Sequence, residues 1–76
     1  MKSRAVSMTT IGERIYKARM TIGISQAQFS KLCGWHPSKI SHLECDRRAP
    51  SVRTLVELSM HLGVCTDWIL GLRWDA

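Results

Sequence analysis

The four residues Cys33-Gly34-Trp35-His36 constrain this chain more than any other stretch, because a helix start signal stands on each side of them. Ser25 precedes Gln28 by three residues. This is the capping-box spacing, in which hydroxyl and amide satisfy N–H groups that a helix's first turn leaves open. Beyond the four residues comes Pro37, suited to the first position of a helix, where its missing N–H costs nothing and its φ is already helical. Only a tight turn fits between, and Gly34 supplies the left-handed residue on which helices often end. The pattern predicts one helix over Gln26–Cys33 and another from Pro37 to about Cys45. Phe29, Leu32 and Cys33 of the first, and Ile40 and Leu43 of the second, should turn inward. Two helices this short, joined this tightly, cross at a steep angle.

The same signals recur along the rest of the chain. Thr10 with Glu13 forms a second capping box and opens a helix from about Ile11 to Thr21, ended by Gly23. Its inward face is Ile11, Ile15, Ala18 and Ile22, with Arg14, Lys17 and Arg19 elsewhere. A polar loop, Asp46 to Pro50, precedes a helix that begins after Ser51, buries Leu55, Leu58 and Leu62, and stops at Gly63. Thr66 should cap a last short helix around Asp67 to Leu70. The expected fold is all-α, a compact five-helix bundle. Its expected organisation is a basic arm over 1–9, a helical domain over 10–72 and a tail over 73–76, without repeats or an interdomain linker. Seventy-six residues make one small domain with little to spare for a large core.

Charge is unevenly placed. Residues 1 to 53 carry ten Lys and Arg, Lys2 and Arg4 among them, against three acids. Residues 54 to 76 carry one against three, and the formal net charge is +5. A basic front and mildly acidic tail suggest one face for a polyanion and another for a protein partner. The chain has no apolar run near the ~20 residues that cross a bilayer, and Met1 to Thr9 lacks the apolar stretch of a secretory signal. A cytoplasmic location is the expectation. Cys33, Cys45 and Cys65 are odd in number, and no two form a CxxC pair. They are expected as free thiols, with Cys33 and Cys65 packed as small apolar groups.

A steep pair of short helices is the helix-turn-helix geometry, whose second helix enters the DNA major groove with its first turn deepest. With Ile40 and Leu43 turned inward, that helix presents Pro37, Ser38, Ser41 and His42 as candidates for base contacts, with Lys39 on one flank. Serine hydroxyls discriminate weakly between base edges, His42 can bond a guanine N7, and Pro37 offers only apolar contact. Candidate phosphate contacts are Gln26, at a helix N-terminus where free N–H groups and the dipole attract anions, together with Lys39, Arg47 and Arg48.

The residues from Thr10 to Leu72 resemble the lambda-repressor/Cro class of helix-turn-helix proteins. The resemblance is carried by Ile11-Gly12-Glu13-Arg14-Ile15, Ser25-Gln26, Gly34, Ile40-Ser41, Glu44, Pro50-Ser51, Leu55, Leu62-Gly63-Val64 and Asp67-Trp68-Ile69-Leu70-Gly71, in order and at family-like spacing. It implies a double-stranded DNA operator as partner, a phosphate-binding role for Gln26, and an ion pair between the first helix and Glu44, for which Arg14 is the expected cation. Where this chain has Pro37, the family often has a glutamine that bonds an adenine, so a different or looser operator is expected. Where it has Cys45-Asp46 the family commonly has Asn-Gly. Asp tolerates the left-handed turn, although its charge is unhelpful beside phosphate.

Near the end, Trp68, Ile69, Leu70, Leu72 and Trp74 gather apolar surface. Trp68 is a candidate for the core and, with Leu72 and Trp74, for a two-fold interface. The implied protein is a small homodimeric transcription regulator, a repressor of Cro-like phage, restriction-controller or antitoxin type. Without a second domain it is not expected to sense a small-molecule ligand, and no cofactor is expected. The rival is an adaptor or antirepressor that uses the Trp-rich C-terminal face. Cys33, His36, His42 and Cys45 are zinc-type ligands, but the two histidines lie about 240° apart around one helix and cannot converge on one ion. No nucleophile has a base and an orienting acid beside it, so no enzymatic activity is expected. Trp35, large for a turn, should wedge against the second helix of the motif or lie near the DNA backbone.

Overall fold

The computed structural model describes residues 9–73. Over them the order is α1 Ile11–Ile22, α2 Gln26–Cys33, α3 Pro37–Glu44, α4 Val52–Leu62 and α5 Thr66–Leu70, with no strand among the described residues. This is the expected all-α architecture of five helices. Lys2, Arg4 and Trp74 lie outside the described residues. No described helix is long and apolar enough to cross a membrane.

Local chemistry sets the helix ends. Thr10 accepts from the Glu13 N–H at 3.0 Å while Glu13 accepts from the Thr10 N–H at 2.9 Å, and Ser25 and Gln28 repeat the exchange at 3.0 and 2.7 Å. Ser51 caps α4 through the Thr54 N–H at 3.1 Å. Each such cap is worth about 1 kcal/mol. Gly34 closes α2 at φ 72°, in the left-handed region open to glycine. Helix α5 departs from expectation: Thr66 lies inside it, and Cys65 stands at the cap position with no side-chain cap bond.

The core is Ile15, Ala18, Phe29, Ile40, Leu43, Leu58, Leu62, Trp68 and Ile69. Trp68 is 8% exposed, so its indole belongs to the core, which corrects its assignment to a dimer interface. Two residues expected inside are exposed: Leu32 at 57% and Ile22 at 45% sit at the last turns of their helices. Cys65 is likewise exposed rather than packed.

Two contacts hold the end of α3 against the start of α1. Gly12 lies so close to the α3 C-terminus that a Cβ there would stand 2.5 Å from the Glu44 carbonyl oxygen and 2.6 Å from that of Leu43. Asp46, at φ 60°, makes the left-handed turn after α3 and accepts from the Gly12 N–H at 2.9 Å through Oδ1. The expected tolerance of Asp46 for that turn is observed. Its carboxylate also faces the positive end of the α1 dipole, a favourable site for an anion that no local spacing could indicate.

Candidate nucleic-acid interface

Helix α3 starts exposed and ends buried. Pro37 occupies its first turn and is exposed with Ser38, whereas Ser41, His42 and Lys39 are half-buried. Ile40 and Leu43 are 0% and 1% exposed, so the inward pair holds α3 in the bundle as expected. His36, which the capping rules do not single out, is the N-cap: its Nδ1 accepts from the Ser38 N–H at 3.2 Å and lies 2.9 Å from Ser38 Oγ. An imidazole nitrogen can take the place of a serine or aspartate oxygen in this role, and its signal is a lone polar residue just before Pro37. One consequence bears on base reading: the Ser38 hydroxyl already has a partner in His36.

At the other end of α3, one carboxylate ties three helices together. Glu44 accepts from Arg19 Nε at 2.6 Å and Nη2 at 3.0 Å, and from Gln26 Nε2 at 2.9 Å. Arg19 Nη1 also donates to the Ile24 carbonyl at 2.7 Å, and the guanidinium lies 5.4 Å from the Tyr16 ring centre. The side chains of Arg19 and Glu44 are 6% and 4% exposed. The bond to Glu44 raises the pKa of Arg19 above its ordinary value, against the opposing effect of desolvation.

The cation on Glu44 is therefore Arg19 and not Arg14. In a helix the Cα–Cβ bond tilts toward the N-terminus. With the α3 C-terminus seated on Gly12, the Glu44 side chain leans away from the start of α1 toward Arg19. Arg14 instead turns to α5, where Nη1 donates to the Trp68 carbonyl at 3.0 Å and the guanidinium lies 5.3 Å from the Trp68 ring centre. Gln26 keeps its place at the start of α2, and its amide is oriented by Glu44 with one N–H left to point elsewhere.

The turn between α2 and α3 is filled by Trp35. Its ring meets Phe29 edge-on at 5.7 Å and 79°, and Nε1 donates to Glu57 Oε1 at 3.2 Å. Lys39 Nζ stands 4.3 Å from its centre. Of the two places that the sequence left open for Trp35, its ring takes the one against α3, with Phe29 of α2 and Glu57 of α4 as its other neighbours. Arg47 and Arg48 are exposed in the loop after α3. The structure thus brings Pro37, Ser38, Ser41 and His42 onto one short helix, with Gln26 and Lys39 on its flanks and both loop arginines after its end.

Burial pushes the Cys33 thiol up to about 11, Glu57 adding to the rise and Lys39 opposing it. A thiol is alkylated as its thiolate. At pH 8 iodoacetamide should therefore modify exposed Cys45 and Cys65 at least tenfold faster than Cys33, read by mass spectrometry of peptides. Equal rates at the three sites would contradict the packing around Cys33. The same shift carries a sign for stability. Unfolded thiols ionise near pH ~8.5, while folded Cys33 keeps its proton to about 11, so its contribution is complete below the first value and is lost as pH rises through the second.

Comparison with known proteins agrees with this geometry. Residues 15–69 match the family model described as Helix-turn-helix. The chain is 32% identical over 62 residues to the HTH-type transcriptional regulator ImmR of Bacillus subtilis strain 168, covering 82% of this chain and 49% of that protein. It is 36% identical over 59 residues to the SPbeta prophage-derived uncharacterized HTH-type transcriptional regulator YonR of the same strain, covering 78% and 55%. The chain thus spans about half the length of the curated relatives it matches. Among solved structures, the P22 c2 repressor protein in complex with a synthetic operator superposes with a TM-score of 0.81 at 30% identity, covering 87% of this chain and 100% of that one.

Proposed function

The chain belongs to the helix-turn-helix family of DNA-binding transcription regulators, and from that membership we propose that it binds a double-stranded DNA operator with α3 in the major groove, as a homodimeric repressor. The family and these relatives are regulators and not enzymes. The observation that carries the reading is the unequal burial of α3. Its first turn, Pro37 and Ser38, is open, while its last residue is locked to α1 and α2 through Glu44. A helix held rigidly at one end and bare at the other suits insertion into a groove.

Ser41 and His42 are assigned base contacts, with Pro37 and Ser38 at the deepest point. Gln26, Lys39, Arg47 and Arg48 are assigned phosphate contacts. In the two-fold pairing Trp68 has no part. Leu72, 66% exposed, is the candidate for that interface among the described residues. The helical domain over 10–72 acts in the cytoplasm, where such DNA lies, and the phage repressor type fits the P22 and prophage relatives best.

Fluorescence-anisotropy titration of duplex DNA across several salt concentrations tests this. Wild type should bind random duplex at about micromolar Kd in low salt and weaken steeply as salt rises. Arg47→Ala/Arg48→Ala should flatten the log–log salt slope by about two for each protomer on the DNA, hence about four for the dimer, since each phosphate no longer neutralised removes about 0.9. Absence of binding at low salt would refute the proposal and turn attention to an adaptor role, for which salt should matter little.

A further inference from the structure

Trp35 holds a place in the fold that the assigned contacts leave without a function. Building on the DNA-binding reading, we propose that Trp35 is a positioning residue: it holds the Lys39 ammonium at the N-terminal end of α3 for a phosphate of the DNA backbone, with Glu57 of α4 anchoring the indole.

Lys39 follows Trp35 by four residues, and helical side chains lean toward the N-terminus. Its stem therefore runs back along the turn, and Nζ comes to rest over the indole face, 4.3 Å from the ring centre. Such a place is not favourable by itself, because the positive end of the helix dipole repels an ammonium. The negative face of the ring offsets that repulsion.

The ring is held by two contacts, and the backbone of Trp35 by a third. Phe29 meets it edge-on at 5.7 Å, Nε1 donates to Glu57 at 3.2 Å, and the Trp35 backbone N–H donates to the Ser30 carbonyl at 2.9 Å. Arg53 Nε stands 3.9 Å from the other oxygen of Glu57 in a solvent-exposed pair of the kind that adds little.

An ammonium has three donors in all, and contact with a ring face leaves N–H groups free for an oxygen ligand. A lysine without such support would lose much rotamer freedom on meeting a phosphate. Lys39 is half-buried and its ammonium is already placed over the ring, so less is lost on binding. Arg47 and Arg48 are exposed beyond the far end of α3, away from this ring.

The test is a double-mutant cycle read by anisotropy on one duplex across salt, with a thermal melt for each variant. The variants are Lys39→Met, Trp35→Met, the double variant, and Trp35→Phe. Lys39→Met should flatten the salt slope by about one for each protomer on the DNA, hence about two for the dimer. Trp35→Met should weaken low-salt binding about three- to fivefold when Lys39 is present, as expected for removal of a cation–π interaction, and leave it nearly unchanged in the Lys39→Met background. Trp35→Phe, which keeps an aromatic face, should restore most of the binding. A Trp35 effect that persists undiminished without Lys39 would overturn the proposal, since a merely structural role predicts that additivity. Wild type that fails to bind at low salt would instead refute the DNA-binding reading itself. A second measurement needs no variant: in the free wild-type protein the Lys39 ε-methylene protons should be shifted upfield by the indole ring current in 1H–13C spectra. Lys39 shifts at ordinary lysine values would overturn the placement.

Discussion

Glu44→Ala is expected to lower stability by about 3–5 kcal/mol, the range for removing one member of a buried ion pair. That is a large part of the roughly 4–11 kcal/mol expected for a domain of this size, so urea unfolding should show a much reduced midpoint or no folded baseline. The cause is the charge left behind. Arg19, 6% exposed along its side chain, would keep its bond to the Ile24 carbonyl and its place over Tyr16 but lose both bonds to a carboxylate. Gln26 would lose its partner at the same time.

Replacing both ends of the pair by apolar residues, Arg19→Met/Glu44→Leu, should recover most of the loss, because no charge is then stranded in the interior. Arg14→Ala should show little coupling to Glu44→Ala in a double-mutant cycle, whereas Arg19→Ala should show strong coupling. A Glu44→Ala loss below about 1 kcal/mol would mean that the pair behaves as a solvated surface bridge. The pH dependence follows from the raised pKa of Arg19. A cation held above its unfolded pKa contributes fully below that value and loses the contribution as pH rises through the folded one. This arginine's share is therefore constant through neutral pH and fades only in strong alkali.

Gly12→Ala is the second large effect, and its sign is the informative part. In an exposed helix interior, alanine for glycine gains about 1 kcal/mol. Here the new methyl would stand 2.5 Å from the Glu44 carbonyl oxygen and 2.6 Å from that of Leu43, both of them backbone atoms that no rotamer change can move. α1 must draw back from α3, which also stretches the bond from the Gly12 N–H to Asp46. Overpacking of about 1–3 kcal/mol with weakening of a hydrogen bond to a charged group gives a net loss of about 2–3 kcal/mol. Gly12→Val should cost more. Urea unfolding decides it, and a stabilised Gly12→Ala would show that α1 and α3 are not in close contact. DNA affinity should fall as well, since the same contact seats the end of α3.

Much of this molecule is legible in its sequence because much of it is local. A capping box joins residues three apart, as Thr10 with Glu13 and Ser25 with Gln28. A proline at N1 or a glycine at a helix end acts on its own turn. These signals yield the helix order, the span Gln26–Cys33 and the tight turn between α2 and α3, and with them the candidate face on α3. His36 escapes them because histidine is an uncommon cap, though the position before Pro37 is the right place to look.

What the tertiary structure decided lies between residues far apart in the chain. Arg19 and Glu44 are 25 residues apart, and Arg14 reaches a carbonyl 54 residues on. Both arginines sit on α1 at positions that periodicity assigns to the polar side. Which of them meets Glu44 depends on where α3 crosses α1 and on the tilt of a Cα–Cβ bond, neither of which is written in spacing. Gly12 looks like a weak helix residue until the neighbouring backbone is in place. Leu32 matches the inward pattern of α2 but stays exposed at the helix end, and Trp68 matches an interface as well as a core. The sequence by itself determined where helices begin and end, because those energies arise within one turn. Only the packed bundle decided which charges pair, which glycine is indispensable and which tryptophan turns inward, because those energies arise where separate helices meet.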